Sequence, residues 1–340
     1  MARRILIRVP NWLGDAIMAT GAIDLYHQRN PGDVITLLGT PSILTVFSSS
    51  YNSYNLFPYD REQKDAGVLG LARMGGMLHE QLFDAGYLLT NSFSSALMFY
   101  LGRIPERIGY KGHWRSRLLS EAVDPIPDPV HQAQQFAYLL VRDSETLPPP
   151  KIRVSPEERE KARQILEHEE FLGKIRIGMA IGAAYGPAKC WPADYFAELA
   201  RNCVETLDAR ILLFGAKNEM NLAREIKQQA GKGVIDLTGK TTLRQLLALL
   251  QQCRIVIAND SGVMHAATAV KTPVVALFGS TDPGKTGPLG EHNRVLYEKV
   301  ECSPCFERTC RYGHYECLRR ITPQSALKSV NDLLNHQEAN

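Results

Sequence analysis

A loop near the middle of the chain combines the features that bind phosphate. It follows a predicted strand and contains Gly182, Gly186 and Lys189, and Pro192 then occupies the first turn of a predicted helix. Glycines let backbone amides approach an anion closely, the lysine adds a full positive charge, and a helix N-terminus attracts anions. The segment is equally compatible with an ordinary strand-to-helix loop that carries one solvated lysine.

Two later loops add hydrogen-bond donors at the ends of predicted strands. The turn Asn259-Asp260-Ser261-Gly262 leads into a helix that contains His265, and Gly279-Ser280-Thr281 follows the next strand. Because parallel strands end at one edge of a sheet, we expect the three loops to converge. For single residues alternatives remain, since Asp260 could be a plain helix cap and His265 could pack in the core. Together the loops predict a site for a nucleotide diphosphate.

Two carboxylates follow predicted strands and could act on a sugar substrate. Glu219 is placed to accept hydrogen bonds from ribose hydroxyls, but it could equally be a first-turn helix acid that the helix dipole stabilises. Asp15 follows Asn11, Trp12 and Gly14 after the first strand of the chain. It could be a helix cap, or a general base for a hydroxyl group, because the helix dipole would keep it ionised.

A basic segment at residues 103–117 contains five Lys or Arg residues, one acid and interleaved aromatic residues. It could bind nucleic acid, although no known nucleic-acid module surrounds it. It could equally bind a phosphorylated or carboxylated glycan at a membrane surface, or be a solvated loop.

The elements that must position these residues alternate between strand and helix. This alternation predicts an α/β protein with two Rossmann-like parallel-sheet domains facing a central cleft. The run Pro148-Pro149-Pro150 predicts a stiff connector, which places the domain boundary within residues 148–172. The predicted strands are 5–9, 34–38, 87–90, 175–181, 211–214, 234–237, 255–258 and 274–278, and the predicted helices are 15–26, 69–82, 195–204, 218–229 and 242–253.

Composition narrows the classes of function. The 340 residues fit two domains, and 44% apolar with 22% charged residues is typical of a soluble globular protein. A net charge of +3 shows that the protein as a whole is not a polycation. No apolar run is long enough to span a bilayer, and the first apolar stretch is too short for a signal peptide, so we expect a cytosolic protein. The dinucleotide fingerprint and the P-loop are both missing, which disfavours dehydrogenases and P-loop NTPases.

Taken together, the motifs resemble glycosyltransferase family 9, the bacterial heptosyltransferases of the GT-B fold, over nearly the whole chain. The resemblance is specific because long motifs occur in the same order. They are Pro10-Asn-Trp-Leu-Gly-Asp15, Met18-Ala-Thr20, Asn91-Ser-Phe93, Ser95-Ala-Leu97, Gly182-Ala-Ala-Tyr-Gly-Pro-Ala-Lys189, Trp191-Pro192, Leu237-Thr-Gly-Lys240-Thr, Asn259-Asp-Ser-Gly262, Met264-His265 and Phe278-Gly-Ser-Thr281.

The resemblance implies a role for each part of the chain. Residues 1–150 would bind the acceptor, residues 151–322 would bind the donor, and a helix at 323–340 would pack back toward the N-terminal domain. Asp15 would be the general base, and Lys189 would hold the donor phosphates as the second catalytic residue. The implied donor-binding residues are Tyr185, Lys189, Glu219, Asp260, Ser261, Gly262, His265, Ser280 and Thr281, and the implied acceptor-binding residues are Asn11, Trp12, Arg107, Lys111 and Arg115.

The implied reaction is inverting transfer of L-glycero-D-manno-heptose from ADP-heptose to the first heptose of the lipopolysaccharide inner core, carried by heptosyl-Kdo2-lipid A. The resemblance also implies a protein at the cytoplasmic face of the inner membrane, with no metal or other cofactor and no nucleic-acid partner. The sequence contains no D-x-D pair, which agrees with metal-free transfer. The alternatives are a heptosyltransferase of type I or III with a different acceptor, or a non-catalytic protein that binds a nucleotide sugar.

Two cysteine features stand apart from these motifs. Members of the family that this chain resembles carry arginine beside the phosphate lysine, but Cys190 stands there, so a second cationic phosphate contact is left unassigned. The four residues Cys302, Cys305, Cys310 and Cys317 have a spacing that could ligate zinc or an iron–sulfur cluster. Only one C-x-x-C arm is present, and we therefore expect a structural element without a metal.

Overall fold

The computed structural model describes residues 2–49, 54–60, 65–143, 145, 149–167 and 175–338. The chain divides into two compact units, Met1–Arg153 and Val154–Asn340. Each unit contains a six-stranded sheet in which all neighbouring strands are parallel. The predicted α/β class with two Rossmann-like domains is therefore confirmed. Pro148 and residues 168–172, which belong to the predicted boundary region, lie outside the described residues.

The sheet of the first unit has the strand order β3-β2-β1-β4-β5-β6. The chain builds outward from β1 in one direction and then from β4 in the other, so the strand order reverses between β1 and β4. Such a switch point is where open α/β sheets form a crevice at the carboxyl ends of their strands. The strands are β1 (Arg4–Arg8), β2 (Val34–Gly39), β3 (Asn55–Pro58), β4 (Ala85–Leu88), β5 (Glu106–Tyr110) and β6 (Glu121–Val123).

Among the described residues of this unit, five α-helices and one 3₁₀ helix cover the sheet. The first of them, α1, packs against α5, and α3 packs against α4. Helix α1 is almost fully buried, and its many small residues allow that close packing. The α-helices are α1 (Leu13–Arg29), α2 (Pro41–Leu44), α3 (Gly67–Glu80), α4 (Phe93–Leu101) and α5 (Gln132–Val141), and the 3₁₀ helix is His113–Leu118.

The sheet of the second unit has the order β12-β11-β10-β7-β8-β9, so its switch point lies between β7 and β10. Every residue of β10 and β11 is buried, as expected for parallel strands that helices cover on both faces. The strands are β7 (Ile175–Ala180), β8 (Ala209–Phe214), β9 (Val234–Asp236), β10 (Ile255–Asn259), β11 (Val274–Phe278) and β12 (Arg294–Tyr297).

Two helices of the second unit begin at clear sequence signals. Ser155 with Glu158, and Thr242 with Gln245, form capping boxes that satisfy free backbone amides at the starts of α6 and α9. The helices are α6 (Pro156–Ile165), α7 (Ala193–Leu207), α8 (Met220–Ala230), α9 (Leu243–Gln251), α10 (Gly262–Ala269), α11 (Pro283–Thr286), α12 (Glu316–Arg319) and α13 (Pro323–Glu338).

The basic segment at residues 103–117 is not a solvated loop. It contains β5 and most of the 3₁₀ helix His113–Leu118, and both Tyr110 and Arg115 are buried. The prediction missed β5 because Glu106 and Arg107 interrupt the apolar pattern at its start. Three edge strands, β3, β6 and β12, were also missed, and β4 begins two residues before the predicted strand.

The apolar side of α13 belongs to the second unit. This helix contacts α7, β10 and β11, and Ala326, Val330 and Leu333 lie in the core that these elements share. The packing of this helix toward the N-terminal domain stays a prediction. The chain from Leu318 onward therefore completes the core beneath the second sheet.

We expect Leu333→Ala to destabilise the second unit. Leu333 is 3% exposed, and removing a buried leucine side chain lowers the free energy of unfolding by about 2–5 kcal/mol. Thermal unfolding of the full chain, followed by calorimetry, measures the loss. Lys328→Ala on the exposed side of the same helix is the matched control and should change stability by about 0.5 kcal/mol at most. Equal stability of the two variants would contradict this account of α13.

Candidate active site

Three loops of the second unit meet at the switch point of its sheet. Lys189 ends a 3₁₀ helix that follows β7, and its Nζ donates to Oδ2 of Asp260 at 2.5 Å. Thr281, after β11, donates from its hydroxyl to the same oxygen at 2.6 Å. The Lys189 and Asp260 side chains are 13% and 5% exposed, so this ion pair is largely removed from water. The predicted convergence of the loops is present, and Asp260 is its centre.

Asp260 is not the cap of the helix that follows it. Ser261 occupies the N-cap position of α10, with no side-chain capping bond, and Asp260 points to Lys189 and Thr281 instead. Asp260 therefore joins the loops that follow β7, β10 and β11.

Asn259 ties the first of these loops to β10. Its side-chain oxygen accepts a hydrogen bond from the backbone N–H of Trp191 at 3.0 Å, and its amide donates to the carbonyl of Ile181 at 2.9 Å. The buried Trp191 indole donates in turn to the carbonyl of Ile321 at 2.8 Å. Because every one of these buried polar groups is paired, the loop that carries Lys189 is held in one position.

The Tyr185 ring contacts two cationic side chains, Lys189 and Arg308. The Lys189 Nζ lies 4.8 Å from the centre of the Tyr185 ring, and the Arg308 guanidinium carbon lies 5.3 Å from the same point. The Tyr185 hydroxyl donates to the carbonyl of Phe306 at 2.6 Å, which fixes the ring. Sequence reasoning missed Arg308, because it lies among the cysteines, more than a hundred residues from Lys189.

Two buried hydroxyls at the site have no hydrogen-bond partner among the described residues. They belong to Ser261, at the start of α10, and Ser280, after β11. Buried hydroxyls are normally paired, so these two are available to a ligand. Gly262 begins α10, and His265 is buried in its first turns at 3% exposure. The positive end of this helix therefore presents hydroxyl and amide donors together.

Glu219 occupies space that Gly182 leaves open. A Cβ atom at Gly182 would lie 1.7 Å from Oε1 of Glu219, so the carboxylate lies directly over the glycine. The Glu219 carboxylate also accepts a hydrogen bond from the N–H of Ala216 at 2.6 Å. Burial, together with the negative charge of Glu219, raises the pKa of the Cys190 thiol above its ordinary value. The absence of a side chain at Gly182 therefore makes room for the Glu219 carboxylate, and it also lets an anion approach the backbone of the loop.

The cysteine-rich segment, residues 302–317, packs directly on the site loops. The N–H of Phe306 donates to the carbonyl of Ser280 at 2.7 Å, and the carbonyl of Arg308 accepts from the N–H of Ala188 at 3.0 Å. The Ser303 hydroxyl donates to the carbonyl of Gly279. The segment therefore forms one wall of the site. Its four cysteines are free thiols, and no group of residues in the described part of the chain has the arrangement of a metal site.

The cysteines of this protein differ in acidity. Burial raises the pKa of Cys310, but backbone N–H groups from Tyr312 to Tyr315 favour its thiolate more strongly, so the pKa is below its ordinary value. Burial raises the pKa of Cys203 and of Cys253 to about 12. Cys310 therefore has more thiolate character near neutral pH than Cys203 or Cys253.

The first unit places Asp15 at the switch point of its own sheet. Asp15 lies in the first turn of α1, directly after β1, and Trp12 at the N-cap position is 54% exposed. The fully buried guanidinium of Arg8 donates to the Asn11 side chain at 2.6 Å and to the carbonyls of Val9 and Leu38 at 2.7 and 3.1 Å. Arg8 thus anchors the loop that carries Asp15, and sequence reasoning missed it because it reads as an ordinary strand residue.

Arg115 is buried without an acidic partner. It is 3% exposed, its Nη1 donates to the Asn91 side chain at 2.8 Å, and its Nε and Nη2 have no partner among the described residues. Burial lowers its pKa from the ordinary arginine value. It lines a pocket of about 580 Å³ together with Phe93 and Trp114, which are 50% and 68% exposed. This pocket is lined by residues that follow β4 and β5.

The structure does not gather all five predicted acceptor residues. Arg107 lies at the amino end of β5, where its guanidinium donates to the carbonyls of Ile104, Pro105 and Leu118 and stacks on Tyr100. Lys111 lies at the carboxyl end of β5 and pairs with Asp124 at 2.6 Å on the surface. Asn11, Trp12 and Arg115 therefore share the edge of the sheet with Asp15, whereas Arg107 supports its own domain.

Comparison with known proteins decides the family. Residues 71–316 match the model of glycosyltransferase family 9 (heptosyltransferase). This chain belongs to glycosyltransferase family 9. The predicted resemblance is confirmed, and with it the assignment to the transferases.

Relatives of this family 9 chain align from end to end. It is 31% identical to lipopolysaccharide heptosyltransferase 2 of Escherichia coli strain K12 over 99% of this chain and 100% of that protein. It is 28% identical to lipooligosaccharide heptosyltransferase 2 of Haemophilus ducreyi over 97% and 99%. The solved structure of E. coli ADP-heptose LPS heptosyltransferase II superposes with a TM-score of 0.84 at 28% identity, covering 98% of this chain and 99% of that one. The family 9 chain thus has a GT-B fold.

We expect Gly182→Ala to weaken binding of ADP about tenfold while leaving stability nearly unchanged. The new methyl group would displace the end of the Glu219 side chain, which is flexible, so the fold adapts but the carboxylate leaves its position. A lost hydrogen bond to a charged group costs about 1.5–3 kcal/mol. Titration calorimetry with ADP measures the change.

Gly76→Ala is the matched control, since nothing lies within 4 Å of a Cβ atom at that exposed helical glycine. Glu219→Ala should lose as much affinity as Gly182→Ala, and the double variant should lose no more. Unchanged ADP affinity in Gly182→Ala would show that the position of the Glu219 carboxylate does not contribute to nucleotide binding.

We expect iodoacetamide to modify Cys310 faster than an unstructured cysteine peptide at pH 7. A lowered pKa populates the thiolate at lower pH, so the advantage should shrink once the pH exceeds the ordinary thiol pKa of about 8.5. Peptide mass spectrometry locates the adduct, and Cys310→Ser should remove the fast phase. Cys203 and Cys253 should stay unmodified in the folded protein. A rate at Cys310 equal to that of the peptide would show that the amides do not stabilise its thiolate.

Proposed function

We propose that this protein is an inverting glycosyltransferase that moves L-glycero-D-manno-heptose from ADP-heptose to the first heptose of the lipopolysaccharide inner core. The observation that carries the proposal is the bonded set of Lys189, Asp260 and Thr281 at the switch point of the donor domain, in a chain of family 9. The full-length relatives named heptosyltransferase 2 support a type II acceptor over those of types I and III.

The donor loops stabilise the leaving group. As the bond from the anomeric carbon to ADP breaks, its electron pair moves onto the pyrophosphate, and preorganised donors act on this developing charge. Lys189 supplies an ammonium hydrogen-bond donor, the Ser261 and Ser280 hydroxyls are free to donate, and the amides at the start of α10 lie beside them. Glu219 holds the ribose hydroxyls and Asp260 contacts the transferred sugar. Tyr185, Gly262, His265 and Thr281 complete the donor site.

We expect the reaction to need no metal ion. The pyrophosphate oxygens that a divalent cation binds in D-x-D glycosyltransferases accept hydrogen bonds here from Lys189 and from the neutral donors of the loops. The sequence has no D-x-D pair to hold such a cation. Turnover that survives a strong chelator supports this expectation.

Asp15 acts on the acceptor. Its carboxylate takes the proton of the attacking hydroxyl, whose oxygen bonds to the anomeric carbon on the face opposite ADP, so the configuration inverts. Asn11 and Trp12 lie in the same loop and contact the acceptor sugar. The unpaired guanidinium of Arg115 suits a carboxylate or phosphate of the inner core, and the exposed Trp114 ring beside it suits the apolar face of a sugar. Lys111 lies at this edge, where it pairs with Asp124, and Arg107 contributes by supporting β5.

The proposed acceptor implies a cellular location for the protein. Lipopolysaccharide core is assembled on a lipid, so we propose a peripheral protein at the cytoplasmic face of the inner membrane. Exposed aromatic side chains at Trp12, Phe93 and Trp114 support contact with an amphipathic acceptor. No helix in the described ranges of the chain has the length and apolar character of a bilayer span.

We expect Asp15→Asn to lower kcat by about 10²–10⁴-fold, the usual contribution of a general base, with ADP affinity unchanged. The assay mixes purified protein, ADP-heptose and a defined acceptor, and measures product mass. The wild type should extend heptosyl-Kdo2-lipid A and leave Kdo2-lipid A unchanged. The opposite acceptor preference would exclude type II. Binding of ADP-heptose without turnover of any core acceptor would favour a nucleotide-sugar-binding protein.

Asp24→Asn, on the same helix α1 but two turns further along, is the matched control for loss of one carboxylate. It should keep the wild-type kcat, because the helix carries its side chain far from the loop after β1. If both variants lose turnover equally, the effect of Asp15→Asn is structural.

A further inference from the structure

The charge balance of the donor site is incomplete without a second cation. Lys189 is the lysine assigned to the donor phosphates, but Asp260 lies 2.5 Å from its Nζ and cancels its charge. A pyrophosphate carries two negative charges or more, and the transition state adds to the charge on its oxygens. The neutral pair of Lys189 and Asp260 therefore leaves the leaving group without net positive charge.

Arg308 stands where a second cation is needed. Its backbone carbonyl accepts from the N–H of Ala188, the residue before Lys189, and a Cβ atom at Gly186 would lie 2.4 Å from that same carbonyl oxygen. The cysteine-rich segment and the phosphate loop are thus in direct backbone contact at this point. Both cations lie over Tyr185, which places the Arg308 guanidinium and the Lys189 ammonium within about 10 Å of each other.

The guanidinium of Arg308 is held in place but not neutralised. Its side chain is exposed and stacks on Tyr185, whose hydroxyl is fixed by the carbonyl of Phe306. No carboxylate of the described residues pairs with it. By contrast, Arg311 in the same segment pairs with Glu307 at 2.8 Å. Arg308 is therefore a positioned cation whose hydrogen-bond donors are open to an incoming ligand.

We propose that Arg308 is a catalytic residue that binds the pyrophosphate of the nucleotide-sugar donor and stabilises the negative charge of the departing nucleoside diphosphate. A guanidinium suits this role because its planar fork donates two parallel hydrogen bonds to phosphate oxygens. Arg308 supplies the second cationic contact that Cys190, beside Lys189, does not provide. The inference rests on the proposed glycosyl transfer and names the residue that balances its charge.

Kinetics of Arg308 variants test the proposal. We expect Arg308→Gln to lower kcat about 10²-fold, the size of effect seen when one preorganised donor to a developing charge is removed. The KM for ADP-heptose should rise less than kcat falls, because the interaction is strongest in the transition state. Arg308→Lys should retain an intermediate kcat, since it keeps the charge but loses the fork.

Chemical rescue separates a catalytic role from a structural one. In Arg308→Ala, added guanidinium ion should restore part of kcat at concentrations that leave the wild type unaffected. The matched control is Arg311→Gln, which removes a paired arginine from the same segment and should keep the wild-type kcat. Full activity in Arg308→Gln overturns the proposal, and so does a loss of activity that guanidinium does not rescue and Arg308→Lys does not moderate.

The test also separates this inference from the proposed function. Heptosyl transfer by the wild type is measured first, and its absence would count against the proposed function itself. Where the wild type transfers heptose, the Arg308 variants decide the inference alone.

Discussion

The ion pair between Lys189 and Asp260 is the interaction on which the proposed donor site depends. It joins two loops at the switch point of the second sheet, and Thr281 attaches a third loop to the same carboxylate oxygen. A desolvated ion pair of this kind is costly to separate, so it fixes the relative positions of all three loops. The same pairing removes the net charge of the lysine, and this is why a cation from another part of the chain matters to the chemistry.

Both units hold their site loops with buried polar side chains rather than with apolar packing alone. In the first unit, Arg8 donates to Asn11 and Arg115 donates to Asn91, each in a loop that follows a central strand. In the second unit, Asn259 pairs with the backbone of the loop that leads to Trp191. Directional bonds of this kind specify one geometry, whereas apolar contacts tolerate several. The parallel sheets supply rigid positions for the loops, and these side chains set the loop conformations.

Much of the fold follows from local sequence, but the contacts of the site do not. Strands β7, β10 and β11 were predicted within one residue. β10 and β11 are almost entirely apolar and fully buried, and in β7 only Arg176 interrupts the apolar residues. Strand β5 was missed because its exposed first residues are charged. Lys189 and Asp260 were each singled out from local motifs, yet a bond between residues 71 positions apart depends on the strand order. Arg308 lies in a cysteine-rich segment whose local pattern indicates metal binding or structure, so its contact with Tyr185 was visible only in three dimensions.

The cysteine-rich segment and the helices after it have a consequence for how the protein is made. The wall of the donor site, the carbonyl of Ile321 that anchors Trp191, and the core residues of α13 all come from the last forty residues of the sequence or so. A ribosome releases the first unit long before these residues emerge, so that unit can fold while synthesis continues. Until these residues are synthesised, the side of the second sheet that α13 covers stays exposed. A product that stops before residue 321 therefore exposes Trp191 and the apolar core to chaperones and proteases.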